Sequence, residues 1–375
     1  MQTLDAIFRG GMVADRAVAQ ALGSHPKWGS RDRAFVAETV YEVVRWRRRL
    51  AFLAGTEDLW ALAGMQWALR KYPRPEWASW PAVAEDVREE RMPGCVRESV
   101  SDELDALGQT QLGTQWESEL TALNQPAPIF LRVNPLRSSH SAVKAELAKH
   151  GLAAAEVAGA PLALRVESGK SIPARLKDSG LFEIQDAASQ QVAPFLQVEP
   201  GHCVVDACAG AGGKTLHLGC LMNGRGMLYA LDVKEPRLAV LEKRAVRAGV
   251  KVQASLVTPE ILTKLEARAD RVLIDAPCSG SGTFRRQPDL KYRITAESLK
   301  QTQELQRELL MQFSKLVRPG GKLVYATCSI LPGENETQAA WFQGQCPNFA
   351  LEEERRISPA ATGWDGFYMA RWFRR

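Results

Sequence analysis

Several features that define other classes of protein are absent from this sequence of 375 residues. No apolar run reaches the roughly 18 residues that a helix needs to span a bilayer. Residues 1–11 lack the long apolar stretch of a secretory signal. The sequence contains no internal repeat and no low-complexity tract. These absences argue against membrane, secreted and repeat proteins, and we expect a cytoplasmic protein.

Cysteine pairs with the spacing of a metal site or a redox motif are also absent. An odd number of cysteines without a secretory signal favours reduced thiols. Cys208, His217 and Cys220 lie loosely near each other, but their spacing does not match a common zinc site. We therefore expect no metal. The seven cysteines are Cys95, Cys203, Cys208, Cys220, Cys278, Cys328 and Cys346.

The charge balance is only mildly basic, with 48 Lys and Arg against 43 Asp and Glu. A net charge of +5 permits a nucleic-acid partner without demanding one. Basic residues cluster around Trp46, and a helix that carries them would present a positive face to phosphates. A solvated helix face is the alternative, and charge alone does not decide between them. The cluster comprises Arg45, Arg47, Arg48 and Arg49, with Lys27, Arg31 and Arg33 upstream.

The length favours two or three domains, and the pattern of apolar residues along the sequence changes twice. Residues 1–105 have apolar residues at helical spacing. Residues 106–185 begin with a helix-like stretch and continue as a small α+β unit, in which Ile129–Val133 reads as a strand. Residues 186–375 alternate between strands and helices, which predicts a largely parallel sheet with helices on both faces.

A glycine-rich segment follows the first predicted strand of residues 186–375, Cys203–Asp206. It lacks the first glycine of a phosphate-binding loop and the third glycine of a dinucleotide fingerprint. A nucleoside ligand without a pyrophosphate remains, and Asp232 at the end of the next strand could bind its ribose hydroxyls. This pattern fits S-adenosylmethionine, although a structural turn and an N-cap aspartate would look similar. The predicted cofactor contacts are Cys208, Ala209, Gly210, Ala211, Gly212, Gly213, Lys214, Asp232 and Asp275.

Two cysteines fall just past the ends of two later strands, where a parallel sheet binds its ligands. Cys278 follows Asp275 after one strand, and Cys328 follows Thr327 after the last one. Carbon-5 of cytosine is a poor nucleophile until a thiolate adds to carbon-6 and turns the ring into an enamine. An acid must then stabilise the adduct, and a base must remove the carbon-5 proton. We predict that Cys328, Cys278 and Asp275 are catalytic.

Several of these segments resemble motifs of the RsmB-like ribosomal RNA cytosine-5 methyltransferases, over about residues 115–375. The resemblance implies a Rossmann-like S-adenosylmethionine-dependent α/β domain, preceded by an all-helical NusB-like domain and a small RRM-like unit. It also implies that Cys328 is the nucleophile and that Cys278 assists product release. RNA, ribosomal RNA in particular, is the implied partner. The segments are residues 208–215, 275–278, 285–289, 327–328 and 365–370, with a less specific match at 14–16 and 29–35.

The sequence departs from the family pattern in two places within the cofactor region. Gly210-Ala211 replaces the usual Ala-Pro of the loop, which predicts a more flexible loop. Residues 253–257 lack the aspartate that the family tends to carry near the adenine. We therefore expect weaker binding of the methyl donor. Residues 55–100 also diverge, which predicts a reduced helical domain.

Three other functions remain open at this stage. A non-catalytic RNA-binding or ribosome-assembly factor needs neither thiol. A small-molecule or protein methyltransferase leaves the basic N-terminal region unexplained. The same cytosine chemistry could also act on transfer RNA. The sequence does not predict the oligomeric state.

Overall fold

The computed structural model describes residues 1–72, 92–167 and 171–375. The chain divides into two compact units. The first, the helical unit, comprises Met1–Pro126 and Thr283–Ser298; the second, the sheet unit, comprises Ala127–Gly282 and Leu299–Arg375. The predicted boundaries at residues 105 and 185 differ from this division, and the three-domain organisation stays a prediction.

The helical unit is built from amphipathic helices whose apolar faces meet in one core, which contains Val43, Leu50 and Leu62. The third helix begins at Ser30, with Gly29 at the N-cap position. Part of the divergent stretch 55–100 lies outside the described residues. The helices are α1 (Gln2–Phe8), α2 (Ala14–Ser24), α3 (Ser30–Arg45), α4 (Arg47–Ala54), α5 (Leu59–Leu69), α6 (Gly94–Arg97), α7 (Asp102–Leu112) and α8 (Gln115–Leu123).

A buried lysine anchors the Thr283–Ser298 segment within the helical unit. Lys291 is fully buried. Its ammonium group donates hydrogen bonds to the carbonyl oxygens of Arg45 and Glu98 and to Oδ1 of Asn124, at 2.7, 3.0 and 2.8 Å. Three acceptors match the three N–H donors of a lysine, so the charged group is fully hydrogen-bonded despite its burial.

The basic cluster around Trp46 is largely occupied by internal contacts of the helical unit. Arg45 is buried and donates to Glu42 at 3.0 Å and to the carbonyl oxygen of Arg285 at 2.9 Å. Arg48 pairs with Asp102 at 2.8 Å, and the Arg49 guanidinium lies 5.3 Å from the Trp46 ring. The expected continuous positive face is therefore wrong for Arg45, because a buried guanidinium cannot meet a phosphate.

The sheet unit contains a small antiparallel sheet with the order β2-β3-β1-β4. Its apolar face packs against α9, and Leu131, Val143 and Leu164 are fully buried between them. The sheet confirms the expected α+β region. The elements are β1 (Ile129–Val133), α9 (His140–Ala148), β2 (Ala154–Val157), β3 (Ala160–Val166), α10 (Ala174–Lys177) and β4 (Phe182–Ile184).

The second sheet of this unit has seven strands, and five consecutive ones, which include one edge strand, run parallel. The order is β10-β11-β9-β8-β5-β6-β7, with β11 antiparallel to both of its neighbours. This topology confirms the predicted Rossmann-like fold. The strands are β5 (Cys203–Asp206), β6 (Met227–Asp232), β7 (Gln253–Leu256), β8 (Ala269–Asp275), β9 (Val317–Thr327), β10 (Phe349–Ile357) and β11 (Phe367–Arg374).

Helices cover both faces of the seven-stranded sheet, and alternate strand residues enter two separate cores. Leu273 packs in one core, whereas its neighbour Ile274 packs in the other. Burial on both faces explains why these strands read as nearly continuous apolar runs. No helix in the described ranges has the length and hydropathy to cross a membrane. The helices are α11 (Ala187–Phe195), α12 (Gly213–Leu221), α13 (Glu235–Ala248), α14 (Pro259–Leu265), α15 (Ala296–Phe313), α16 (Glu336–Gln345) and α17 (Pro359–Thr362).

Candidate active site

The carboxyl ends of β5, β8 and β9 bring the predicted reactive residues to one edge of the sheet. The strands are neighbours, and the register pairs Asp206 with Leu273 and Asp275 with Ala326. The chain reverses its direction of travel across the sheet between β5 and β8, and such switch points form ligand-binding crevices. The loops after these strands therefore line a single site, as the sequence predicts.

The two predicted catalytic thiols lie in direct contact. Sγ of Cys278 is 3.3 Å from Sγ of Cys328, and both residues are partly exposed. The pKa of Cys278 is raised well above its ordinary value by the hydrogen bond to Cys328, by burial and by the negative charge of a Cys328 thiolate. This arrangement keeps the proton on Cys278.

A partly buried ion pair lies beside the thiols. Nζ of Lys214 donates to Oδ2 of Asp275 at 2.6 Å. Burial alone would lower the pKa of Lys214, but the Asp275 carboxylate and a negative charge on Cys328 outweigh burial and raise it. Lys214, predicted as a cofactor contact, thus supplies a fixed positive charge next to Asp275 and Cys328.

The glycine loop between β5 and α12 has two positions that differ in their need for glycine. Gly212 has φ of +90°, and a Cβ atom there would lie 2.7 Å from Cγ of Leu241. Gly210 also has a positive φ, of +53°, but a Cβ atom there would meet only open space. Close packing therefore requires Gly212, whereas the backbone at Gly210 faces the room that a ligand would occupy.

Two arginine side chains donate hydrogen bonds to carbonyl oxygens at the end of this loop. Arg244 donates to the oxygen of Ala211 at 2.5 Å and to Glu183 at 2.6 Å. Arg132, which is fully buried, donates to the oxygen of Gly213 at 2.6 Å. These bonds fix the start of α12, whose N-terminal amides are suited to an anionic group.

Asp232 ends β6 beside the loop, and its carboxylate is oriented by two backbone amides. Oδ2 accepts from the Gly210 amide and Oδ1 accepts from the Lys234 amide, both at 2.8 Å. A carboxylate has about four acceptor positions, so both oxygens can accept further bonds. Asp232 is thus placed to bind a pair of ribose hydroxyls.

Comparison with known proteins identifies the family. Residues 193–373 match the model of the 16S rRNA methyltransferases RsmB/F, and residues 106–173 match the ferredoxin-like domain of RsmF/B-like methyltransferases. The chain belongs to the RsmB-like family. The ferredoxin-like domain match covers the first three strands of the small antiparallel sheet.

Individual similar proteins match between two thirds and nearly all of the chain. It is 36% identical over 257 residues to a probable ribosomal RNA small subunit methyltransferase B of Synechocystis, and 34% identical over 268 residues to that methyltransferase of Vibrio cholerae. These matches cover 67% and 68% of this chain but only 57% and 61% of the relatives' lengths. The crystal structure of PH0851 superposes with a TM-score of 0.82 at 25% identity, covering 99% of this chain and 97% of that one.

S-adenosylmethionine is the cofactor that the RsmB-like family implies, and the residues present fit it. Asp232 offers acceptors for ribose hydroxyls, and the amides that begin α12 suit a carboxylate. The open space at Gly210 leaves room for the ligand beside both groups. These groups suit a nucleoside that carries an amino-acid tail.

The family tends to carry an aspartate after the third strand of this sheet in chain order, which is β7 here. This sequence has none at that position. Residues 253–257 form β7 and its end, and no acidic side chain occurs among them. The backbone amide of Val257 donates to the carbonyl oxygen of Asp232 at 3.2 Å, so the end of β7 is hydrogen-bonded to the end of β6. Weaker donor binding stays a prediction.

Sequence reasoning missed two buried carboxyl groups of the site. Asp206 ends β5 and accepts from Oγ1 of Thr215 at 2.7 Å; burial raises its pKa to about 7, although the bond to Thr215 opposes the rise. Glu334 is fully buried beside the two cysteine loops. Asp206 could have been noticed as an acid at a strand end, but nothing local in the sequence predicts the burial of Glu334. Within the described ranges, no three His, Cys, Asp or Glu side chains form a metal-binding group.

Proposed function

We propose that this protein is an S-adenosylmethionine-dependent methyltransferase of ribosomal RNA that modifies carbon-5 of a cytosine. The observation that carries the proposal is the contact between the Cys278 and Cys328 thiols, beside the Lys214–Asp275 ion pair. Methyl transfer to a good nucleophile needs neither thiol. A covalent route through carbon-6 uses one thiol for attack and gives the other a role in release.

Cys328 forms the covalent bond to the base. Its thiolate adds to carbon-6, and the electrons of the carbon-5–carbon-6 double bond make carbon-5 nucleophilic. As the thiolate adds, the ring nitrogen takes up a proton from water, and the Asp275 carboxylate accepts a hydrogen bond from that N–H. Lys214 holds the carboxylate through a hydrogen bond of 2.6 Å. The proton returns to water when the methylated base is released. When bound, S-adenosylmethionine supplies the electrophilic methyl group that carbon-5 takes up.

Cys278 assists the release of the methylated base. Once Cys328 is bonded to carbon-6, it no longer carries the charge or the hydrogen bond that raise the pKa of Cys278. Cys278 then loses its proton to water more readily, and the resulting thiolate serves as the base that takes the carbon-5 proton. The electrons of that C–H bond restore the ring double bond, the carbon–sulfur bond breaks, and Cys328 leaves as a thiolate.

We expect the target to be an unstacked base, because an atom of the ring inside a duplex cannot reach a catalytic thiol. Ribosomal RNA is proposed from the relatives' names, and transfer RNA is the alternative substrate for the same chemistry.

Methyl transfer from labelled S-adenosylmethionine to ribosomal RNA, transfer RNA and DNA tests the function. Label in 5-methylcytidine after digestion of ribosomal RNA is the expected result, and bisulfite sequencing locates it. Cys328→Ala is expected to abolish transfer while RNA binding persists, whereas Cys346→Ala serves as a thiol control away from the site. Label on another nucleoside, or substantial turnover by Cys328→Ala, would refute the mechanism.

A further inference from the structure

A third acidic residue of the site, Glu334, accepts four hydrogen bonds from neutral donors. It ends a short 3-10 helix, Pro332–Glu334, and is fully buried. Oε1 accepts from the Ser279 amide at 2.8 Å and from Nε2 of Gln306 at 3.1 Å. Oε2 accepts from the hydroxyls of Ser279 at 2.5 Å and Ser329 at 2.6 Å. All four partners donate, which suits an ionised carboxylate.

The hydrogen-bond partners of Glu334 belong to the two loops that carry the thiols. Ser279 directly follows Cys278, and Ser329 directly follows Cys328. One carboxylate therefore ties together two loops that are 50 residues apart in the sequence. Gln306 strengthens the tie, since the same Nε2 also donates to the carbonyl oxygen of Pro277 at 3.0 Å.

Further buried bonds hold Glu334 itself in place. Tyr325 donates its hydroxyl to the Glu334 carbonyl oxygen at 2.7 Å. The neighbouring Asn335 donates to the Ser329 carbonyl oxygen at 2.9 Å and accepts from Thr327 at 2.5 Å. Burial of a carboxylate is unfavourable unless it is fully hydrogen-bonded, and no lysine or arginine of the described residues forms an ion pair with it. A feature this costly to bury suggests a role beyond packing.

We propose that Glu334 is a positioning residue that sets the separation of the Cys278 and Cys328 thiols, and thereby the transfer of protons between Cys278 and the covalent adduct. The proposal rests on the function proposed above. Glu334 touches neither sulfur in this arrangement and acts through the two serines. Its negative charge also contributes to the raised pKa of Cys278, after the larger effects of Cys328 and burial.

Replacement of Glu334 by glutamine tests this role, because the amide keeps the shape but turns an acceptor into a donor. An NH₂ group facing Ser279 and Ser329 cannot accept their hydrogen bonds. Glu336→Gln is the matched control, since the Glu336 side chain is 42% exposed and lies two residues away. We expect Glu334→Gln to lower kcat by roughly tenfold or more, with KM for RNA and affinity for S-adenosylmethionine unchanged. The covalent protein–RNA adduct should accumulate, because release is the impaired step.

A second measurement separates this proposal from the proposed function, because it needs no substrate. Oxidised glutathione converts two adjacent thiols to a disulfide and is itself reduced to two molecules of glutathione. We expect the equilibrium yield of the Cys278–Cys328 disulfide, measured by mass spectrometry of peptides, to fall in Glu334→Gln and to stay at the wild-type value in Glu336→Gln. If the wild type shows no methyl transfer but this contrast holds, the function fails while the positioning role stands.

Two outcomes would overturn the positioning role. One is a Glu334→Gln protein whose thiol equilibrium and kcat match those of Glu336→Gln. The other concerns Ser279→Ala. This variant is needed if Glu334→Gln loses donor binding or thermal stability, because a folding defect would then explain its lower activity. Ser279→Ala then decides, because it removes one hydroxyl bond to Glu334 and leaves the carboxylate in place. It should shift both readouts in the same direction by a smaller factor, and unchanged values would refute the role.

Discussion

The arginines around Trp46 and the thiols at the sheet edge show opposite relations between sequence and structure. The arginines are adjacent in the chain, yet Arg45 and Arg48 are bound to partners inside the helical unit. Cys278 and Cys328 are 50 residues apart, yet their sulfur atoms touch. Neighbouring positions on a helix point in different directions, whereas adjacent parallel strands deliver their ends to one edge. Strand-end position is therefore a better guide to a site than local clustering of charge.

The largest expected effect concerns the thiol that resolves the adduct. Cys278→Ala should leave Cys328 able to attack carbon-6 but should slow release, and turnover should fall by about 100-fold or more. A denaturing gel is expected to show a slowly migrating band that nuclease removes. The double variant Cys278→Ala/Cys328→Ala should show no band. Normal turnover without a band in Cys278→Ala would remove Cys278 from the mechanism.

Donor binding at the same edge provides the second test. Asp232→Ala should weaken S-adenosylmethionine binding by roughly 1.5–3 kcal/mol, or about 10- to 100-fold, because charge-assisted hydrogen bonds to the ribose are lost. Calorimetry measures the change, and RNA affinity should be nearly constant. Glu235→Gln, an exposed neighbour at the start of α13, is the control. Equal donor affinity in wild type and Asp232→Ala would place the ribose elsewhere.

The buried Asp206 predicts a pH dependence of the protein's stability. Its pKa is raised from 3.8 to about 7 in the folded state, so folding favours the protonated form. The resulting stabilisation is present at low pH and is lost as the pH rises through about 7. Asp206→Asn should remove roughly 2 kcal/mol of the fall in unfolding free energy between about pH 5 and pH 7. Urea denaturation at both pH values checks this, and identical pH dependence in the two proteins would contradict it.

The smallest effect tests whether the helical unit binds RNA, as we propose from its basic residues. Lys27 and Arg31 are exposed, unlike Arg45. Lys27→Gln/Arg31→Gln should reduce the salt dependence of RNA affinity by about 1.4 in log–log slope, if each residue contacts one phosphate of a single strand. Donor binding should be unaffected.

Arg45→Gln is the contrasting variant for that experiment. It should lower stability by about 1–3 kcal/mol through lost buried hydrogen bonds and leave the salt slope alone. If Arg45→Gln changes the slope and the Lys27/Arg31 pair does not, the contrast between the two regions fails. Replacement of all four arginines at once would mix the two effects and could not separate them.

The local sequence predicted the bounds of strands that are short apolar runs next to turn residues. Ile129–Val133 and Cys203–Asp206 have the predicted bounds, because each is a short run with a breaker or a glycine loop beside it. Residues 102–123 form two helices, α7 and α8, separated at Gly113, whose φ is +54°. A single glycine in a helical pattern does not reveal its φ, so the break could not be predicted.

The sequence alone determined the fold class, the family and the placement of the two thiols and Asp275 at strand ends. The carboxyl ends of parallel strands lie at one edge of the sheet, so residues that follow these strands come together there. Tertiary structure alone decided which groups are buried and what they touch. It set the sulfur–sulfur distance of 3.3 Å, paired Lys214 with Asp275 and placed Glu334 between the two loops. It also buried the Arg45 side chain. The physical reason is that burial and hydrogen bonding depend on residues distant in the chain, which no local pattern encodes.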